Sequence, residues 1–178
     1  MKWSQPRSTK GVKPSKTTRI NISPSSVGVR APSFRGFCPA SEVSSRAKQA
    51  NPSADTKPEL LLRSALSALG LRFRRNQRSI LGKPDFVFSK ERVLVFCDGD
   101  FWHGRNWTRL RLLLARRANA AYWIPKIRAN RRRDTQTQRA LERDGWRVVR
   151  VWEGDVRKNA LRAATQVQLV VAQASKLP

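Results

Sequence analysis

Two apolar runs, Phe86-Val87-Phe88 and Val93-Leu94-Val95-Phe96-Cys97, stand either side of the turn-forming stretch Ser89-Lys90-Glu91-Arg92, and they limit what this chain can become. The second run is nearly continuous in its hydrophobicity, the pattern of a strand covered on both faces. Such a strand needs helices above and below it, and the flanking sequence offers them. Asp55-Thr56-Lys57-Pro58-Glu59 is a capping-box pattern in which Thr56 accepts an early helix N–H and Glu59 reaches back. The helix it opens carries Leu61, Leu62, Ala65, Leu66 and Leu69 as its apolar stripe, and Gly70 stops it in the left-handed conformation. Leu71-Arg72-Phe73-Arg74 alternates as a strand does, and Arg75 to Arg78 reads as a polar turn. A basic stretch runs on to Arg117. Asn119 then caps a long helix reaching about Arg143, with Pro125 in its first two turns and Gly145 as its stop. Trp146 to Trp152 supplies a further strand, and Asp155 caps a C-terminal helix. Helix, three strands, helix, strand, helix predicts an α/β fold, a mixed sheet with helices packed on it.

Charge narrows the partner. The 178 residues hold 37 Lys plus Arg against 12 Asp plus Glu, a formal net charge of +25. Solubility needs far less, so a polyanion is expected. No apolar run is long enough to span a bilayer and the N-terminus has no apolar signal core, which favours nucleic acid over a membrane. Cys38 and Cys97 lie far apart without a Cys/His cluster, which argues against a disulfide framework and fits a reducing cytoplasm. Residues 1–50 contain ten Lys or Arg and one acid, Glu42, among Ser, Pro and Thr. Residues 1–46 are therefore expected to form a disordered basic arm and residues 47–178 a single domain.

Acid in so basic a chain needs a reason. Asp85, Asp98, Asp100 and the only histidine, His103, fall within one short stretch. Pro84 fixes the backbone before Asp85, and Asp85 opens a strand, so its carboxylate is held in place. Period-two alternation puts Phe96 and Asp98 on one face of the next strand and Val95 and Cys97 on the other. Carboxylates at two neighbouring strand ends can share a hard cation such as Mg²⁺. In phosphodiester cleavage such an ion polarises the phosphoryl oxygen and activates water, while an imidazole moves a proton. Each residue also has a plainer role: Asp98-Gly99 is a turn dipeptide, Glu59 a capping residue, Asp134 a surface partner for Arg131 or Arg133. Phe101, Trp102 and Trp123 would ordinarily be core, and the Arg131-Arg132-Arg133 run a solvated face.

Several blocks in order carry a family resemblance: Asp55-Thr56-Lys57-Pro58-Glu59, Gly82-Lys83-Pro84-Asp85, Asp98-Gly99-Asp100-Phe101-Trp102-His103-Gly104, Tyr122-Trp123-Ile124-Pro125-Lys126-Ile127, Asn130 with Arg133-Asp134, and Gly145-Trp146-Arg147-Val148 through Val151-Trp152-Glu153. Over roughly residues 44–157 the chain resembles the very-short-patch-repair (Vsr-type) DNA mismatch endonucleases. The resemblance implies a restriction-endonuclease-like PD-(D/E)xK nuclease fold and Mg²⁺-dependent nicking of double-stranded DNA beside a mismatched thymine, in mismatch repair. It makes Asp85 the metal-binding aspartate, Cys97 the donor of a metal-ligating backbone carbonyl and His103 the catalytic histidine. Glu59 and Asp134 become outer acids that hold water or orient the histidine. It implies that Phe101, Trp102 and Trp123 enter the duplex as a wedge, and beside such a nuclease site Lys126, Arg131 and Arg133 are expected to contact the DNA.

The chain also departs from the pattern. Where better-known members bind a structural zinc through three cysteines and a histidine, it has Asp100, Arg105, Trp107 and Gly154, so no zinc is expected. Trp107 and Trp152 are expected to fill the gap by packing. A second histidine of the family's site is replaced by Asp98, a candidate second carboxylate for the metal. The expected protein is a cytoplasmic, nucleoid-associated monomer that meets repair-pathway proteins. Two alternatives stand beside it: a catalytically silent DNA-binding protein that keeps the fold, and a basic RNA-associated structural protein, for which the usual RNA-module signatures are missing.

Overall fold

The computed structural model describes residues 32–34 and 55–176. The arm expected over residues 1–46 therefore lies outside the described residues except for Pro32, Ser33 and Phe34. The elements in chain order are α1 (Lys57–Ala68), β1 (Arg74–Arg75), β2 (Phe86–Phe88), β3 (Val93–Asp98), α2 (Trp107–Ala115), α3 (Ala120–Arg143), β4 (Arg147–Trp152), α4 (Glu153–Lys158) and α5 (Ala160–Ala174). They form one mixed sheet, as the element order predicts, and its strand order is β1-β2-β3-β4. The first three strands are antiparallel, and β4 runs parallel to β3 with Val95 opposite Val149. A parallel neighbour needs a long crossover, which α2 and α3 provide.

The near-continuous apolar run does sit at the centre, covered on both faces. Val93 and Val95 pack with Leu62 and Leu66 of α1 and with Ala164, Val167 and Val171 of α5. Leu94 and Phe96 face the other way, with Val87 of β2 and Leu141 of α3. Every residue from Val93 to Val95 is fully buried at 0% exposure, so a charge introduced on either face would be left without water. Among the described residues no helix is long and apolar enough to cross a membrane.

Local readings change at five places. The first strand is Arg74–Arg75 rather than Leu71–Arg74, because the Leu71 N–H is still bonded to Leu66 O in the turn that ends α1. Phe73 works as an anchor instead, its ring 5.1 Å from Phe86 and 5.9 Å from Phe88. The basic stretch after His103 contains a helix, α2, which buries Leu114. The C-terminal helix is two: Asn159 leaves helical geometry at φ −157°, and its side chain accepts the Arg162 N–H at 2.8 Å, so Asn159 caps α5 in place of Asp155. The capping box itself does not form, and Glu59 reaches back one residue further than the cap. Glu59 accepts from the Asp55 N–H at 2.8 Å, while the Thr56 hydroxyl donates to Glu59 at 2.7 Å instead of capping the helix. Asn119 likewise precedes α3 in a left-handed conformation without a side-chain cap.

Candidate active site

The sheet brings the acidic stretch to one cleft of about 540 Å³, lined by Glu59, Lys83, Asp85, Cys97, Asp98, His103, Arg133, Asp134 and Arg150 among others. Asp85 is fixed twice. Its N–H donates to Val95 O at 3.0 Å, extending the β2–β3 pairing, and its carboxylate accepts the Cys97 N–H at 2.7 Å. Burial pushes the Asp85 carboxyl up to about 7; the Cys97 N–H works against this, and the charges of Glu59 and Asp98 add to it. A carboxylate disfavoured in this way gains most from a cation beside it. Burial, with help from Asp85, also raises the Cys97 thiol to about 12, so at neutral pH it stays a thiol. What Cys97 can offer a hard cation is its backbone carbonyl.

His103 hangs from a tight loop, its N–H bonded to Gly99 O at 3.1 Å. Its Nδ1 lies 2.7 Å from Asp134 on α3. Burial acts to raise the Asp134 carboxyl, but the His103 hydrogen bond and the charges of His103, Arg150 and Arg133 outweigh it and hold the group below its usual range. An ionised Asp134 accepts, so Nδ1 donates and Nε2 is the ring atom left for chemistry. The same helix ties down the loop a second time, Asn130 donating to Trp102 O at 3.0 Å.

Asp98 does reach the cleft from the face that alternation assigns to it, and it is 3% exposed. Arg150 of β4 forks it, Nε donating to one oxygen at 2.5 Å and Nη2 to the other at 2.8 Å. Both Asp98 oxygens thus accept from a guanidinium, which also lies 3.6 Å from Asp134, while Asp98 lines the same cleft as Asp85. Arg150 is the site residue that reading the sequence overlooks. Its signal is an arginine between Val149 and Val151 in an otherwise apolar strand.

The expected wedge residues gather beside the loop. Phe101, Trp102 and Trp123 stand in mutual edge contact, their centroids 5.2 to 5.7 Å apart. All three are half-buried, neither core nor free. Buried Tyr122 backs Trp123, and Phe34 from the N-terminal segment sets its ring 4.6 Å from Tyr122. On α3 Lys126 is half-buried, while Arg131 and Arg133 are exposed.

Residues 40–109 match the family model for the DNA mismatch endonuclease Vsr. The type II nicking enzyme V.NmeDIP of Neisseria meningitidis serogroup C is 45% identical over 130 residues, which cover 73% of this chain and 86% of that protein. This chain belongs to the Vsr family. The type II nicking enzyme V.HpaIIP of Haemophilus parainfluenzae is 40% identical over 70% of this chain and 86% of its own length. The DNA mismatch endonuclease Vsr of Escherichia coli (strain K12) is 37% identical over 56% of this chain and 62% of its own. As a Vsr-family protein the chain is an endonuclease, a hydrolase of phosphodiester bonds, and its mixed sheet is the restriction-endonuclease-like fold of that family.

The positions where this Vsr-family chain departs from the zinc-bearing pattern are occupied by ion pairs and rings. Arg105 reaches Asp155 at 2.8 Å and Asp100 at 3.4 Å, and the Asp100 N–H donates to Glu153 at 3.2 Å. A Cβ on Gly154 would collide with an Asp100 carboxylate oxygen, so a larger residue there would push that carboxylate from its present place. Arg105 lies over the Trp152 ring and Arg131 over the Trp107 ring. The loop that carries Phe101, Trp102 and His103 is thus clamped to α4 by charge.

Proposed function

We propose that this endonuclease nicks double-stranded DNA at or beside a base mismatch, in a repair role, with Mg²⁺ held at Asp85. The observation that carries the reading is the convergence in one cleft of a buried carboxyl raised to about 7 and a histidine braced by an ionised aspartate. Asp85 and the Cys97 carbonyl are hard oxygen donors that suit Mg²⁺. Among the described residues no group of three or more His, Cys, Asp or Glu side chains could hold a metal, so an ion at Asp85 and the Cys97 carbonyl would need further ligands from water or the substrate phosphate. When bound, the ion supplies Lewis-acid polarisation of the phosphoryl oxygen. His103 Nε2 accepts the proton of the attacking water, and Asp134 stabilises the imidazolium and holds the ring in place. Arg150 holds Asp98 and Asp134 in position. The half-exposed Phe101, Trp102 and Trp123 are of the kind that enters a base step and kinks the duplex, which a mismatch makes easier. The net charge of +25 supports association with DNA, and on this reading the protein is nucleoid-associated and works as a monomer alongside other repair proteins.

The test is a nicking assay on a set of mismatched and matched duplexes, with and without Mg²⁺. Mg²⁺-dependent cleavage of one strand near a particular mismatch is expected. Binding without cleavage on every duplex would leave only the silent DNA-binding reading.

A further inference from the structure

Six residues other than glycine among the described ones have positive φ: Asp55, Asn76, Lys83, Arg92, Asn106 and Asn119. Three are asparagine, which enters the left-handed region more readily than most side chains. Two others do visible work there. Asp55 pairs with Arg75 at 2.7 Å, and Arg92 carries its guanidinium onto the carbonyls of Asp144 and Gly145 at the end of α3. Lys83, at φ +55°, has no such use, since its ammonium makes no hydrogen bond or ion pair with any described residue. The proline that follows it favours an extended backbone of negative φ in the preceding residue, so Lys83 departs from preference twice over.

The surroundings show what this conformation achieves. Gly82 is also left-handed, at φ +79°, and a Cβ on it would meet Thr137 Cγ2 at 2.6 Å, so the turn runs tight against α3. Pro84 is buried and fixes the other side. Between them Lys83 lines the cleft that Asp85, Cys97, His103 and Asp134 also line. Four carboxylates stand in that cleft, and a phosphate entering it needs cations to offset them. Arg150 is engaged by Asp98, which leaves Lys83 and Arg133. Glycine or asparagine would relieve the backbone at position 83, and neither carries charge. Strain held at a functional site, where a less strained residue is available, points to the side chain as the reason for it.

We propose that Lys83 is a catalytic residue whose ammonium contacts a non-bridging oxygen of the scissile phosphate, the left-handed backbone serving to aim it into the cleft. This rests on the nicking reading above. The test uses the full chain with Mg²⁺ and the duplex that the wild-type protein cleaves, comparing Lys83→Gly, Lys83→Asn and Lys83→Arg. Single-turnover nicking rate, Mg²⁺ concentration for half-maximal rate and thermal midpoint are read for each. Lys83→Gly and Lys83→Asn should melt higher than wild type, because strain is relieved, yet nick roughly 10²- to 10³-fold more slowly with an unchanged Mg²⁺ requirement. Lys83→Arg should stay within about tenfold of wild type. Near-wild-type nicking by Lys83→Gly or Lys83→Asn would overturn the proposal, as would a loss in Lys83→Arg as deep as in Lys83→Gly. Lower midpoints in both uncharged variants would overturn the aiming argument. A wild-type protein that nicks no duplex would overturn the nicking reading as well, whereas normal wild-type nicking with a fast Lys83→Gly overturns the Lys83 assignment alone.

Discussion

Asp85 shows how a single side chain links stability to function. Its carboxyl has an ordinary value of 3.8 and is raised to about 7 in the fold, so between those values the folded state holds a proton that the unfolded state has lost. Folding is therefore favoured less and less as pH climbs through this window, and above about 7 the destabilisation is complete. Asp85→Asn removes it. In EDTA the variant should melt higher than wild type at pH 8, by on the order of a few degrees, with the gap closing by about pH 4. A midpoint at or below wild type at pH 8 would show that Asp85 is not destabilised by its surroundings. Because Mg²⁺ must displace the same proton, its affinity should fall about tenfold per unit of pH below 7, measurable by titration calorimetry. Cys97 makes a complementary case. With its thiol protonated and only its carbonyl placed to meet a cation, Cys97→Ala should nick within about tenfold of wild type, while Asp85→Asn should not nick at all. His103→Ala should slow nicking by roughly two to four orders of magnitude, and a rate near wild type would remove the proton-transfer role.

At the scale of elements, the loop between β3 and α2 carries both the histidine and two wedge aromatics, and it is held at three points: the His103–Asp134 bond, the Asn130–Trp102 bond and the Arg105 clamp to α4. The clamp is half-exposed, so removing it should cost at most about 1 kcal/mol of stability. Its effect on rate should be larger in proportion, because small shifts of the loop move His103. Arg105→Ala is expected to lower the nicking rate about tenfold with little change in melting, and the exchange of Arg105→Asp with Asp155→Arg should restore part of it. A doubly exchanged protein no faster than Arg105→Asp would show that the pair does not position the loop. The strands that build the site were legible in the sequence because burial on both faces leaves a direct mark: Phe86 to Phe88 and Val93 to Cys97 admit almost no polar residue. The loop and helix beside them were less so. β1 shifts because the α1 end-turn uses the Leu71 N–H, and α2 is hidden among arginines around a narrow stripe containing Leu114. Asp85, His103 and Asp134 are legible as scarce acids and a lone imidazole. The engagement of Asp98 is not, since it depends on the parallel register that sets Arg150 opposite Phe96.

Across the whole molecule the question is how charge and aromatic surface divide the work on DNA. Residues 1–31 contain seven Lys or Arg and no acid, and Phe34 just after them packs on Tyr122, next to Trp123. Cationic contacts to phosphate are indifferent to sequence and to mismatch, whereas discrimination requires base contact or distortion. Deleting residues 1–31 while keeping Phe34 should weaken binding to matched and mismatched duplexes alike and lower the salt slope by about 0.9 for each phosphate no longer neutralised. The mismatch preference should remain. Deleting residues 1–46 also takes away the ring that buttresses Tyr122 and Trp123, so it should erode the preference as well as the affinity, and Phe34→Ala in the full chain should reproduce only the erosion. Trp123→Ala should go further, cutting affinity for the mismatched duplex more than for the matched one. Equal reductions on both duplexes would make Trp123 a packing residue. Disappearance of the preference on removing residues 1–31 alone would mean that the basic segment, and not the aromatic cluster, reads the lesion.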